Sequence, residues 1–286
     1  MMSEQRRFRL TLACVDRPGI VAAVAACVFE QGGNIMESAQ FHDPETGGFF
    51  MRVVFAAPPR LSLEHFRFAL DPVVKRFDMR VELTDGDRRP RVLILVSRFD
   101  HCLEDLLYRH RIGALAADIT AVVSNHEVCR RSVEEHGHVF HHWPVTRETK
   151  AEQEARLLAL VDESETDLVV LARYMQVLSD KAAQRLYGRA INIHHSFLPS
   201  FKGAKPYHQA HTRGVKLIGA TAHYVTADLD EGPIIEQEVE RVHHAMTPDD
   251  LVAAGRDIES RVLARAVNLH LEQRVLLNGA KTVVFT

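Results

Sequence analysis

Asn192 and His194 alternate along a short apolar run, Ala190–His194, that opens into a loop carrying Pro199 and Gly203. Strand periodicity sends residues i and i+2 to one face, so an amide and an imidazole stand side by side at a strand end. A neutral hydrogen-bond donor beside a group that titrates near neutrality suits chemistry on a carbonyl. A strand end with two hydrogen-bonded polar residues is the plain structural alternative. Downstream, Asp228, Asp230 and Glu231 crowd one loop. Such acids are usually solvated turn formers, but one brought beside the Asn and His could act as a general acid or base. The 17 histidines include the pairs 141/142, 194/195 and 243/244. None is flanked by HExxH or CxxC, and no metal site is expected.

These residues need a sheet to hold them. Residues 92–96, 119–123 and 168–171 are continuous apolar runs of the kind that fill central parallel strands. Helical patterning separates them at 101–111, about 127–136 and 150–163. The alternation predicts a doubly wound, mostly parallel α/β sheet, whose ligand crevice lies at the carboxyl ends of its strands. Ser97, Ser124, Arg173 and Asn192 all fall near such ends. Beyond the loop, Lys205 and Pro206 open a helix, and 219–225 and 234–239 read as further strands. Thr247 as N-cap and Pro248 at the first helical position begin the last helix, with Leu251, Ile258, Val262, Leu269 and Leu276 on its apolar face. Neither GxGxxG nor GxxxxGK[ST] occurs, and the turn 97–102 after the first strand of this sheet contains no glycine. Nucleotide-dependent hydride or phosphoryl transfer therefore has little support.

A shorter segment precedes this sheet. Residues 8–15 alternate as a strand, and Asp16-Arg17-Pro18-Gly19 breaks it and starts a helix, with Asp16 near the end that favours an acid. Ile20, Val21, Val24, Val28 and Phe29 form the expected buried stripe, and Gly32-Gly33 stops the helix. Strands at about 34–42 and 49–56, a helix carrying Leu63, Phe66, Leu70, Val73, Val74 and Phe77, and a strand at 79–84 follow. The order βαββαβ predicts a ferredoxin-like layer. The polar stretch ending in Arg88-Arg89-Pro90 marks a boundary, giving domains 1–85 and 91–286 with a linker at 86–90.

Hydrophobic residues make up 46% and charged residues 26%, a globular balance, and the net charge of -3 creates no field suited to nucleic acid or an anionic membrane. No run approaches the roughly 18 apolar residues of a spanning helix, and the N-terminus lacks a signal-peptide core. Cysteines 14, 27, 102 and 129 show no pairing rhythm, as in a reducing compartment. A soluble, cytoplasmic protein is expected.

Asp16-Arg17-Pro18-Gly19-Ile20-Val21 with Gly32-Gly33-Asn34-Ile35 resembles the ACT domain family over about 6–85. The resemblance implies a small-amino-acid site at a dimer interface, with Asp16, Gly19, Asn34 and Ile35 as candidate ligand residues. Methionine or glycine would be the effector, and the chain a homo-oligomer; a purely assembling role is the alternative.

Farther on, Asn192-Ile193-His194 with residues 196–203, and then 219–225 and 230–235, is similar to the signature of the folate-dependent formyltransferase family over about 90–286. That resemblance implies a catalytic triad of Asn192, His194 and Asp230. Asp230 would move the proton, while Asn192 and His194 bind the oxyanion. It also implies a pterin slot at 171–178, with the main chain around Met175, Val177 and Leu178 holding the ring. His223 counts with the folate-binding residues, either orienting Asp230 or packing beneath it. The substrate would be 10-formyltetrahydrofolate, with no separate cofactor. Glycinamide ribonucleotide transformylases of this family carry a glycine-rich loop for the acceptor's phosphate where 97–102 stands here, and an arginine in place of Gln176. The missing loop implies water as acceptor: hydrolysis to tetrahydrofolate and formate, supplying formate for uses such as purine synthesis and balancing the one-carbon pool. Transfer to an amine, and an amino-acid sensor whose α/β half only binds folate, are the alternatives.

Overall fold

The computed structural model describes residues 6–198 and 206–286. They fall into two compact units, one running to Arg88 with Glu272–Asn278 and Thr282–Thr286, the other comprising Arg89–Leu271 with Gly279–Lys281.

The first unit begins β1 (Arg6–Val15), α1 (Ile20–Glu30), β2 (Asn34–Asp43), β3 (Gly48–Ala57), α2 (Leu63–Phe77) and β4 (Arg80–Asp85). Its sheet has the order β2-β3-β1-β4 with antiparallel neighbours, as a ferredoxin-like layer requires. Phe8, Leu10 and Leu12 alternate inward from β1 and pack with Ile20, Val24, Phe66 and Leu70 from the helices. The buried stripe of α1 is Ile20, Val24, Cys27 and Val28, whereas Phe29 is 79% exposed and Val21 37%. Helical spacing from Ile20 reaches 24, 27 and 28 and carries 21 and 29 past the core face. Asp16 does not cap α1. Gly19, at φ 94, is the N-cap residue, and Asp16 pairs with His42 at 3.2 Å. Asn34 and Ile35 open β2.

The second unit contains β5 (Arg91–Val96), α3 (His101–Arg111), β6 (Asp118–Ser124), α4 (Arg130–Glu135), β7 (Phe140–His142), α5 (Lys150–Glu163), β8 (Leu168–Leu171) and α6 (Asp180–Arg185). It continues through β9 (Ala190–His194), α7 (Pro206–Arg213), β10 (Leu217–Tyr224), β11 (Ile234–Arg241) and α8 (Pro248–Leu271). The sheet order is β11-β10-β9-β8-β5-β6-β7. Strands β9, β8, β5, β6 and β7 run parallel, and β10 is antiparallel to both β9 and β11. All of 92–96 is buried, as a central strand covered on both faces demands. The chain builds outward from β5 to β7, then returns to β5's other side at β8. That reversal puts the topological switch point between β5 and β8, the position at which sheets of this kind hold a ligand. Thr247 caps α8, accepting from the Asp250 amide and donating to its carboxylate. The loop residues Pro199 and Gly203, and Lys205 before α7, lie outside the described residues.

After α8 the chain forms the ribbon β12 (Val275–Asn278) and β13 (Lys281–Val284). Val283 and Phe285 pack with Phe50, and Leu276 lies against them. Buried Arg52 donates to the Glu272 carbonyl at 3.1 Å, and Asn278 donates to Asp43 at 2.7 Å. The sequence reading carried the catalytic domain to 286, but most of 272–286 belongs to the first unit. Leu276 therefore lies on a strand and not on the last helix, which ends at Leu271. Among the described residues no helix is long and apolar enough to cross a membrane, and all four cysteines are free.

Candidate active site

Strand β9 delivers Asn192 and His194 to one face at its carboxyl end, and the antiparallel register of β10 sets His223 opposite Asn192. Asp230 comes from the loop between β10 and β11, in the left-handed region at φ 57. Tight closure of that loop depends on Gly232, where a Cβ would collide with the Tyr224 carbonyl oxygen. The result brings together the residues singled out from sequence. His194 Nδ1 lies 3.2 Å from Asp230 Oδ2, and Asn192 Nδ2 lies 3.3 Å from His223 Nε2 and 3.5 Å from Asp230 Oδ1. His223 Nδ1 is 2.9 Å from the Tyr224 carbonyl and donates to it, while Nε2 faces both Asn192 Nδ2 and Asp230. His223 is 2% exposed and stands 3.7 Å from Asp230 Oδ1. It lies beneath the carboxylate in a position to orient it.

Burial alone would raise the pKa of Asp230, but hydrogen bonds and charge attraction from His194 and His223 hold it well below the usual carboxylate range. The group is therefore ionised at neutral pH. His194 Nε2 is buried and has no hydrogen-bond partner among the described residues, at the edge of a cavity that His194 itself lines. Burial, with the nearby Arg173 charge, pushes the neighbouring His195 down to about 4, so it is neutral at pH 7. The two imidazoles lie 4.9 Å apart between centroids.

That cavity, about 270 Å³, runs between residues 173–178 on one side and 225–230 on the other. Leu178 is buried in its wall, while Met175 and Val177 are about half exposed. The slot is fastened by Ser97, at the end of β5. Its hydroxyl accepts from the Met175 amide at 3.0 Å and donates to Asn125 Oδ1 at 2.7 Å. The Ser97 amide donates to the Arg173 carbonyl at 3.3 Å. The Met175 N–H is thus already engaged, which leaves the Met175 carbonyl for a ligand. Sequence reading placed Ser97 at a strand end without this role. The only signal was a buried hydroxyl residue closing an apolar run.

Arg173 takes the left-handed conformation at φ 63, and its Nε lies 3.3 Å from Glu259 Oε2. Glu259 is 1% exposed and accepts hydrogen bonds from Tyr207 Oη at 2.7 Å and His101 Nε2 at 2.8 Å. Sequence reading passed over this glutamate, one acid among the many charged residues of a long helix. His101, Cys102 and Glu259 bring three possible metal-ligand atoms within 4.8 Å of one another. The Cys102 thiol is driven up by burial and stays protonated, and the carboxylate already faces a guanidinium. The donor set fits an ion-pair network better than a cation site.

Fold and site together define a formyl transferase, and the family model described as formyl transferase matches residues 90–267. The chain belongs to that family. It is 52% identical over 285 residues to a formyltetrahydrofolate deformylase from Corynebacterium sp. (strain P-1), covering 99% of each chain. It is 49% identical over 279 residues to one from Bacillus subtilis, covering 97% of this chain and 93% of that one. A crystal structure of a formyltetrahydrofolate deformylase from Burkholderia mallei superposes with a TM-score of 0.94 at 53% identity, covering 98% of this chain and 100% of that one. Within the family, the chain is a member of the formyltetrahydrofolate deformylases.

Proposed function

We propose that this protein hydrolyses 10-formyltetrahydrofolate to tetrahydrofolate and formate at the site formed by Asn192, His194 and Asp230. The observation that carries the reading is an ionised Asp230 held 3.2 Å from His194 Nδ1, beside a cavity onto which an unpartnered His194 Nε2 borders. The pterin ring lies in the slot at 173–178, with the main chain near Met175, Val177 and Leu178 offering polar contacts and Leu178 an apolar wall.

Water attacks the formyl carbon and passes a proton to Asp230, while the carbonyl oxygen becomes an oxyanion. Protonated His194, whose Nδ1–H is directed to Asp230, presents Nε2–H to that oxyanion, and Asn192 gives up its weak 3.5 Å contact with Asp230 to donate alongside it. Withdrawing the Asn192 donor from the carboxylate, while the His194 charge is shared with the oxyanion, makes Asp230 more basic as its proton arrives. Collapse breaks the C–N10 bond, and the proton moves from Asp230 to N10. The remaining hydroxyl proton passes to solvent, formate and tetrahydrofolate leave, and no separate cofactor takes part. His223 fixes the orientation of Asp230 from below.

The first unit is read as an ACT-type module that pairs two chains and binds methionine or glycine near Asp16, Gly19, Asn34 and Ile35, in a cytoplasmic enzyme. Incubating the protein with 10-formyltetrahydrofolate and no amine tests the catalytic reading. One formate per tetrahydrofolate is expected, and a strict requirement for an added amine would overturn it.

A further inference from the structure

The switch point between β5 and β8 is the part of the sheet edge where a second ligand is expected, since the pterin slot occupies the side toward β9 and β10. In this chain that place is filled. Arg173 leaves the end of β8 in a backbone conformation that costs a non-glycine residue about 1 kcal/mol. Its Nε is paired by charge with Glu259 Oε2, 3.3 Å away without a hydrogen bond, and its guanidinium carbon lies 5.6 Å from the ring centroid of Phe99, in the turn after β5. Arg256 covers the same ring at 5.9 Å. Glu259 is itself fixed by Tyr207 and His101, so the plug is anchored in α3, α7 and α8. Arg173 is only 9% exposed, yet it lines the same cavity as His194 and Asp230. A glycine at 173 would relax the backbone and vacate the space.

We propose that Arg173, braced by Glu259 and Phe99, restricts the acceptor to water by filling the crevice through which a larger acceptor would reach the formyl carbon. This rests on the hydrolytic reading above and goes further in naming the residue that excludes competing nucleophiles. Without the arginine, the Glu259 carboxylate faces the vacated space and attracts an amine. The amine nitrogen would then bond to the formyl carbon, its proton would pass through Asp230 to N10, and the C–N10 bond would break, as with water.

The test is the partition of the formyl group in Arg173→Gly with glycinamide as probe, whose α-amine is partly unprotonated near neutrality. The quantity read is the ratio of N-formylglycinamide to formate, which is independent of how much enzyme is active. Wild type is expected to give formate with only a trace of N-formylglycinamide. Arg173→Gly should raise the ratio about tenfold or more, and Phe99→Ala, which removes an exposed brace, should shift it in the same direction by less. A turning-over Arg173→Gly with the wild-type ratio overturns the proposal. Should that variant fail to fold, an unchanged ratio in Phe99→Ala does so. Failure of the hydrolytic reading would show instead in the amine-free arm, where wild type would release no formate.

Discussion

Replacing Ser97 by alanine removes one hydroxyl, and the structure says where its loss is felt. Ser97 is 2% exposed and Asn125 8%, and the hydroxyl joins the Met175 amide at 3.0 Å to Asn125 Oδ1 at 2.7 Å. Its removal leaves an N–H and a C=O without partners, each costing about 1–3 kcal/mol when buried. Met175 is half exposed, so its amide can recruit water and falls at the low end, about 1 kcal/mol. Asn125 carries about 1–2 kcal/mol, and a total near 2–3 kcal/mol lowers Tm by several degrees. Only the Met175 share acts on the pterin slot, so KM for 10-formyltetrahydrofolate should rise about fivefold. The Asn192, His194 and Asp230 geometry is untouched, so kcat should stay within about twofold. Steady-state formate release and thermal unfolding measure both. A variant with unchanged KM and a reduced kcat would refute the assignment of Ser97 to the slot.

Other perturbations probe the site and its frame. Gly232→Ala drives a Cβ into the Tyr224 carbonyl and displaces the Asp230 loop. Turnover should fall at least about 100-fold with the far-ultraviolet circular dichroism retained, and wild-type kinetics would contradict the role of that loop. Burial depresses His270 to about 4, and His195 is likewise held near 4. Between about pH 4 and 6.5 the unfolded chain binds more protons at both histidines than the folded one. Stability is therefore full above pH 6.5 and is lost as pH falls, by up to about 2.7 kcal/mol per pH unit for two protons. Denaturant titrations at successive pH values should show this slope. Tyr224 Oη lies 2.7 Å from His270 Nδ1, and His270→Gln should reduce the slope by about half; an unaltered slope would remove His270 from the account.

Much of the fold was legible because burial leaves a periodic trace. The unbroken run at 92–96 reads as a strand of the kind covered on both faces, and period two along β9 pairs Asn192 with His194. The sequence resemblance, more than patterning, singled out Asp230 among three crowded acids. What escaped was conformation without a residue signature. Asp230 and Arg173 occupy left-handed positions usually reserved for glycine, and nothing in their identity announces it. Val275, Leu276 and Leu277 continue the apolar rhythm of α8, and the helix ends without a glycine, so the ribbon β12–β13 looked like more helix. Phe29 was misassigned to the core because apolarity alone does not say which side of the 100° stripe a residue occupies. Ser97 and Glu259 act through partners distant in sequence, Met175 and Asn125 for one, Arg173, His101 and Tyr207 for the other.

In the mechanism proposed above, Asp230 moves the proton during attack of water on the formyl group. Asp230→Asn keeps the shape and the hydrogen-bonding reach of the side chain while removing its charge and basicity. Single-turnover formate release from 10-formyltetrahydrofolate, with folate binding measured in parallel, should show a rate reduced about 100- to 10,000-fold and an affinity within severalfold of wild type. Formate release by Asp230→Asn at the wild-type rate would contradict the account.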